Sequence, residues 1–287
     1  MANKKRSIIF LGTTLLVGVL LALAGSWQGI DFQGVPLFAL CVLLAFAMQW
    51  LMFVPAYIWQ TERYYDLTGS LTYLSVMALA LWGSGKTDPV SILLAVLVGV
   101  WALRLGSFLF VRILQDGSDH RFDAIKPNFL RFFAAWTIQG LWVSFTSAAA
   151  LAAITSTAES DLGLAGWIGL IIWVLGFALE VVADRQKRQF RANPENAGQF
   201  IQTGLWSVSR HPNYFGEILL WVGVAIIAAP MLSGWQYLCL ISPLFVTLLL
   251  TRVSGIPMLE ATADERWQGQ PEYEDYKART PVLIPRF

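Results

Sequence analysis

Charge is scarce in this chain: Asp, Glu, Lys and Arg supply 14% of its 287 residues and balance to a formal net charge of +1. That balance gives no sign of a nucleic-acid partner. Cysteine is scarce too. Cys41 and Cys239 each lie inside an apolar run and form no CxxC pair, which excludes a disulfide framework and a thiolate metal site. His120 and His211 are the only histidines and no HExxH is present, so zinc has no ligand set and no metal site is expected. No GxGxxG follows a strand, the GSGK at 83–86 lacks the spacing of a phosphate loop, and no nucleophile elbow occurs.

What is abundant is apolar surface. Hydrophobic residues make up 56% of the chain, 13 of them Trp, and the mean hydropathy is +0.57, more than a soluble domain of this size can hide. A hydrocarbon core of about 30 Å needs about 20 apolar residues per helix. Scanning at that length gives eight segments, approximately 8–24, 35–58, 67–82, 90–110, 132–154, 162–182, 218–232 and 235–251. The third and seventh are short, which suggests local bilayer thinning or re-entry. The first follows Lys4, Lys5 and Arg6 without an evident cleavage site and is read as a membrane helix.

Lys and Arg gather in alternate loops, and only Lys86 falls in an opposite one. The positive-inside rule then places both termini and the long polar loops in the cytoplasm, with a bacterial inner membrane as the expected location. The expected fold is an all-α, polytopic membrane bundle of seven to eight helices. It forms one membrane domain over residues 1–287, with N-terminal helices at 1–60, a core at 61–287, and cytoplasmic loops covering a cofactor site.

Most polar chemistry lies in two of those loops. A helix running past the headgroups carries Glu180, Asp184, Arg188 and Arg191 at intervals of four, four and three, which puts them on one face. An interfacial stripe on anionic lipid is one reading. Against it, a carboxylate at the end of an apolar run is costly, and mixed charge suits a ligand with both hydroxyls and phosphates. In the loop before the fifth segment, Asp116, Asp119, His120, Arg121 and Asp123 form a second polar cluster suited to ribose or phosphate, or simply to solvent. Arg104 and Gln139 lie inside apolar segments and point to a lined cavity, although Arg104 is also placed to snorkel.

The stretch SVSRHPNYFGEILLW, 207–221, is the densest polar cluster at the mouth of a span. Arg210 and His211 precede a Pro that opens a helix, Asn213, Tyr214 and Glu217 fill its first turns, and Gly216 leaves room for close backbone approach. Free amides at a helix start, with Arg210 beside them, suit a phosphate or pyrophosphate.

These residues carry a resemblance. GLWSVSRHPNYFGE resembles the C-terminal signature of steroid 5-alpha-reductases, sterol reductases and the DUF1295 family. The flanking DRQKRQFRANPENAGQF, DGSDHRFD and the tail after Thr251 resemble the DUF1295 pattern, over most of residues 66–285. Isoprenylcysteine carboxyl methyltransferases share a related RHPxYxG stretch and bind S-adenosylmethionine. The Asn of RHPNY and the lack of adjacent glutamates at Glu260 favour the reductase side. The resemblance implies that Asp184, Arg188, Arg191, Asn213, Glu217 and Arg252 bind NADPH, with Glu180 where the family has Asn. It also implies that Glu260 and Tyr276 in the tail help cover the cofactor, and that Trp101 stands where the family has a Tyr.

The implied activity is reduction of a carbon–carbon double bond, as in a 3-oxo-5-alpha-steroid 4-dehydrogenase, on a lipophilic steroid-like or enone substrate arriving from the bilayer. Such a reaction needs a donor at the carbonyl oxygen. Asp66, Tyr64, Tyr65 and Glu62, in QTERYYDLTGS, are the candidates, while N-capping and the interfacial aromatic belt are their ordinary roles. A methyltransferase using S-adenosylmethionine and a non-catalytic lipid-binding protein are the alternatives.

Overall fold

The long apolar segments become helices because a backbone in hydrocarbon must satisfy its own polar groups. The computed structural model describes residues 2–286, apart from the side chains of Ala2, Asn3, Asp116 and His120. The readings of Asp116 and His120 therefore lie outside the described residues.

In chain order the helices are α1 (Ala2–Gly25), α2 (Leu37–Ile58), α3 (Tyr65–Ser84), α4 (Pro89–Asp116), α5 (Phe129–Thr146), α6 (Ala148–Ile154), α7 (Leu164–Ala192), α8 (Pro212–Ala228), α9 (Ser242–Leu248), α10 (Ile256–Trp267) and α11 (Pro271–Arg279). Among the described residues the only sheet is a hairpin of β1 (Asp31–Phe32) and β2 (Val35–Pro36), with Asp31 opposite Pro36. Seven helical stretches are long and apolar enough to cross a bilayer, or eight if the bent pair α5 and α6 is one span. The protein is an all-α integral membrane protein.

Two expectations about span geometry are revised. The short third segment is an unbroken helix of 20 residues, and the seventh span begins at Pro212 rather than at 218. The break falls instead in the fifth, where α5 and α6 bend by 58°. No Pro or Gly sits at the bend. Hydroxyls supply the cause: Ser144 donates to the Gly140 carbonyl at 2.8 Å, Ser147 to Val143 at 2.6 Å, and Ser242 to Thr146. Hydroxyls that back-bond helix carbonyls bend helices, here with the Val143 carbonyl shared between the Ser147 hydroxyl and its amide at 3.1 Å.

Contacts cluster into two compact units. The first holds residues up to Gly166 together with Ile227–Ser242. In it α3 packs on α2 and α4, and α2 on α5. Phe53, Phe122, Phe132 and Trp136 form a buried aromatic cluster near the ends of α2 and α5. At the opposite loop, the buried Lys86 ammonium donates to the Ala153 carbonyl and Ser156 hydroxyl, both at 3.4 Å, and to the Ala158 carbonyl. Burial lowers its pKa, against the opposing pull of Asp88 and Glu159.

The second unit holds Trp167–Ile226 and the residues from Pro243 onward. Here α7 and α8 cross at glycines. A Cβ on Gly216 would lie 2.5 Å from the Gly176 carbonyl oxygen and 2.6 Å from the Glu180 nitrogen, and one on Gly223 would lie 2.6 Å from the Gly169 oxygen. Small residues seven apart let two backbones meet without side chains between them. The tail binds back on the loop before α8: Arg210 N donates to Pro281 O at 2.9 Å, Ser209 Oγ to Leu283 O at 2.8 Å, and Arg286 N to Val208 O at 3.0 Å.

Candidate functional site

The second unit contains a cavity of ≈ 690 Å³ walled by the end of α7, the loop 196–211, α10 and α11, a size typical of small-molecule sites. Helix α7 continues past its apolar portion because Glu180 to Ala192 is rich in good helix formers. It presents Lys187, Phe190 and Arg191, one face at intervals of three and one, to the cavity. Arg210 and His211 come from the loop, Glu260 and Arg266 from α10, and Trp206, Phe200 and Tyr276 complete an aromatic wall.

The wall is strongly basic, with Lys187, Arg191, Arg210 and Arg266 facing the single carboxylate of Glu260. Glu260 Oε2 lies 3.0 Å from Arg210 Nη1, and Oε1 lies 2.8 Å from His211 Nε2. The Arg210 contact is an ion pair without hydrogen-bond alignment, because Nη1, like Nε, is buried and has no acceptor among the described residues. His211 Nδ1 is likewise buried and without a partner. Burial holds the imidazole pKa below its ordinary 6.5, against the opposing pull of Glu260. Buried donors without acceptors are costly, and both side chains belong to residues that line the cavity.

The other readings divide. Arg191, Arg210 and His211 line the cavity, whereas Glu180, Asp184, Arg188, Asn213, Tyr214, Glu217 and Arg252 are not among the residues lining it. Glu180 and Asp184 are buried, and Asp184 Oδ1 accepts from Asn213 Nδ2 at 3.0 Å, tying α7 to α8. The stripe thus runs from a helix–helix contact to solvent, where Arg188 is exposed. Tyr214 stacks on His211 at 5.7 Å between ring centroids. Tyr276 donates to the Trp206 carbonyl at 2.7 Å, a packing role. Lys187 and Arg266 went unread, although the 187, 190, 191 spacing is a helical face. Lys187 also lies over the Trp206 ring at 4.4 Å.

The catalytic and cavity candidates lie in the first unit. Glu62 is buried and engaged by Lys126 Nζ at 2.7 Å and the Asp119 amide at 2.8 Å. The Tyr65 hydroxyl donates to the Ala135 carbonyl at 2.9 Å. Asp66 lies 3.8 Å from Arg112, and Arg121 grips Asp119 through Nε at 2.9 Å. Burial disfavours ionisation of Asp119, but Arg121 outweighs it and holds the carboxyl below the usual range. Tyr64 is exposed and stacks on Phe110 at 6.4 Å. Trp101 is buried edge-on to Tyr73 at 5.1 Å, and Arg104 lies over Phe108 at 5.5 Å. Gln139 Nε2 donates to the Tyr65 carbonyl at 3.2 Å.

Comparison with known proteins adds three partial likenesses. The chain is 28% identical over 118 residues to the 3-oxo-5-alpha-steroid 4-dehydrogenase 1 of Rattus norvegicus and 26% identical over 117 residues to that of Bos taurus, in each case 41% of this chain. It is 32% identical over 115 residues, 35% of this chain, to a probable O-methyltransferase of Ustilaginoidea virens. Each match takes in 40% of the relative's own length. No solved structure matches. A family model described as a protein of unknown function, DUF1295, matches residues 52–280, more than half of the sequence, and the chain belongs to that family.

Proposed function

We propose that the protein is a membrane reductase that uses NADPH to saturate an activated carbon–carbon double bond in a lipophilic, steroid-like or enone substrate. The observation that carries this reading is the pairing of a basic, aromatic-lined cavity with the buried Arg210 donors that lack acceptors. These residues fit the cofactor. Arg210, Arg191, Lys187 and Arg266 suit a pyrophosphate and a ribose phosphate, and the aromatic wall offers ring faces to a base. NADPH supplies a hydride when bound. Likeness to the mammalian steroid dehydrogenases supports the same reading and suggests the substrate class.

Charge developing on the substrate oxygen requires a donor. Asp66 or Tyr64 is the proposed proton donor; the Tyr65 hydroxyl and the Glu62 carboxylate, already engaged by protein partners, are proposed as positioning residues. The proposed setting is the bacterial inner membrane, with the cavity on the cytoplasmic side.

A second reading, an S-adenosylmethionine-dependent methyltransferase, is favoured by the fungal O-methyltransferase likeness. The cavity's charge weighs against it, because a sulfonium donor brings positive charge to a wall that is already cationic. Calorimetric titration of the purified protein with NADPH, NADH and S-adenosylmethionine separates the readings. Preference for NADPH is expected; binding of S-adenosylmethionine alone selects the methyltransferase, and binding of none selects a non-catalytic lipid protein.

A further inference from the structure

Glu260 serves two neighbouring side chains with its two oxygens, His211 Nε2 at 2.8 Å and Arg210 Nη1 at 3.0 Å. An ionised carboxylate only accepts hydrogen bonds, so the contact requires the imidazole proton on Nε2. In the neutral ring Nδ1 is then bare, an acceptor, and it is buried without a partner in a side chain that lines the cavity. The adjacent Arg210, whose Nε and Nη1 are buried, lines the same cavity. An oxyanion with no proton to donate would set its oxygens against the Nδ1 lone pair. A phosphoryl group with a neighbouring hydroxyl, as in a ribose phosphate, satisfies both.

We propose that Glu260 is a positioning residue that fixes His211 in its Nε2–H tautomer, so that Nδ1 accepts from a ligand hydroxyl while Arg210 binds the adjoining phosphoryl oxygen. The groups facing the imidazole are Glu260 from α10, Lys187 from α7, the adjacent Arg210 and the stacked Tyr214 ring. Burial, Lys187 and Arg210 favour the neutral ring and Glu260 alone opposes them, which keeps Nδ1 bare near neutral pH. The tautomer assignment stands on geometry alone; the ribose phosphate rests on the reductase reading.

The chain has two histidines, so ¹⁵N-histidine spectra of the full protein in micelles contain two imidazoles, and His120→Asn identifies them. At about pH 7.5, where an ordinary imidazole is neutral, ligand-free His211 is expected as the Nε2–H tautomer. Glu260→Gln, whose amide can donate as well as accept, should give a mixture, and Glu260→Asp should retain the preference. An Nδ1–H tautomer or an imidazolium in the unsubstituted protein overturns the proposal, as does an unchanged tautomer in Glu260→Gln. If that variant does not fold, the unsubstituted spectrum decides.

NADP⁺ should shift Nδ1 and bind about tenfold more weakly to Glu260→Gln, the loss expected for charge-assisted contacts, while inorganic sulfate, which has no proton to donate, leaves Nδ1 in place. A shift with S-adenosylmethionine and none with NADP⁺ defeats the reductase reading but keeps the Glu260 role. NADPH binding with a silent Nδ1 does the reverse.

Discussion

Two charged clusters in this protein have similar composition and opposite bookkeeping. In the first unit, Glu62, Lys126, Asp119 and Arg121 close on one another, with Lys126 also 3.1 Å from Asp123. In the second unit, Arg210, His211 and Glu260 leave two guanidinium nitrogens and one imidazole nitrogen without hydrogen-bond acceptors or donors among the described residues, although Nη1 keeps its ion pair to Glu260. A closed network stabilises a fold, whereas an open one beside space is poised for a ligand. Density of charge in the sequence does not tell these apart; only the pairing does.

The sharpest way to break this comparison is Glu62→Ala. Removing Glu62 leaves the Asp119 amide without its acceptor and Lys126 with Asp123 alone, a loss of up to about 3–5 kcal/mol for a broken buried pair. Thermal melts in detergent should therefore show a large loss of stability, with NADPH affinity in the folded fraction retained. Arg210→Met should invert that pattern. Loss of a buried charge contact to a ligand costs about 2–5 kcal/mol, so calorimetry should show NADPH affinity falling roughly 30-fold or more, with a smaller drop in melting temperature than Glu62→Ala because Glu260 keeps His211 as a partner. A large stability loss with intact affinity would make Arg210 a structural residue.

A finer contrast lies on α7. Arg191 lines the cavity and Arg188 does not, so Arg191→Ala should weaken NADPH several-fold, on the order of 1 kcal/mol for a partly solvated contact, and Arg188→Ala should change it little. Equal effects would move the site onto the Glu180 face.

The smallest effect is in pH. Because the folded pKa of His211 is depressed below 6.5, the unfolded chain takes up a proton first as pH falls, and stability declines from about 6.5 down to the folded value. The depressed Asp119 carboxyl acts in a separate window: its contribution is present above 3.8 and is lost as pH falls through the folded pKa. Melts between about pH 7.5 and 5.5 should decline for the unsubstituted chain and less for His211→Gln.

Much of this was legible in the sequence. Apolar runs located the spans, which rest on local periodicity; the α7 face at intervals of four and three shares only Arg191 with the cavity, which takes Lys187 and Phe190 instead. The close approach at Gly216 was also readable, because a glycine at a helix mouth has few other uses. The bend between α5 and α6 was hidden in the alanine-rich SAAALAAI, whose propensity is helical throughout; the hydroxyl that bonds the Thr146 carbonyl belongs to the distant Ser242. The engagement of Glu62 was equally unreadable, since Lys126 lies 64 residues away. Asp66 and Glu62 look alike in QTERYYDLTGS, and only tertiary contacts distinguish the committed carboxylate from the less committed one.

The central claim is that the second unit's basic cavity holds a phosphorylated nicotinamide cofactor. A structure of the full chain determined with saturating NADPH tests it most directly. The account predicts a dinucleotide in that cavity, with a phosphoryl oxygen in hydrogen-bond reach of Arg210 Nε and a hydroxyl on His211 Nδ1. A cavity without the cofactor at saturation, or one that accepts S-adenosylmethionine in its place, would contradict it.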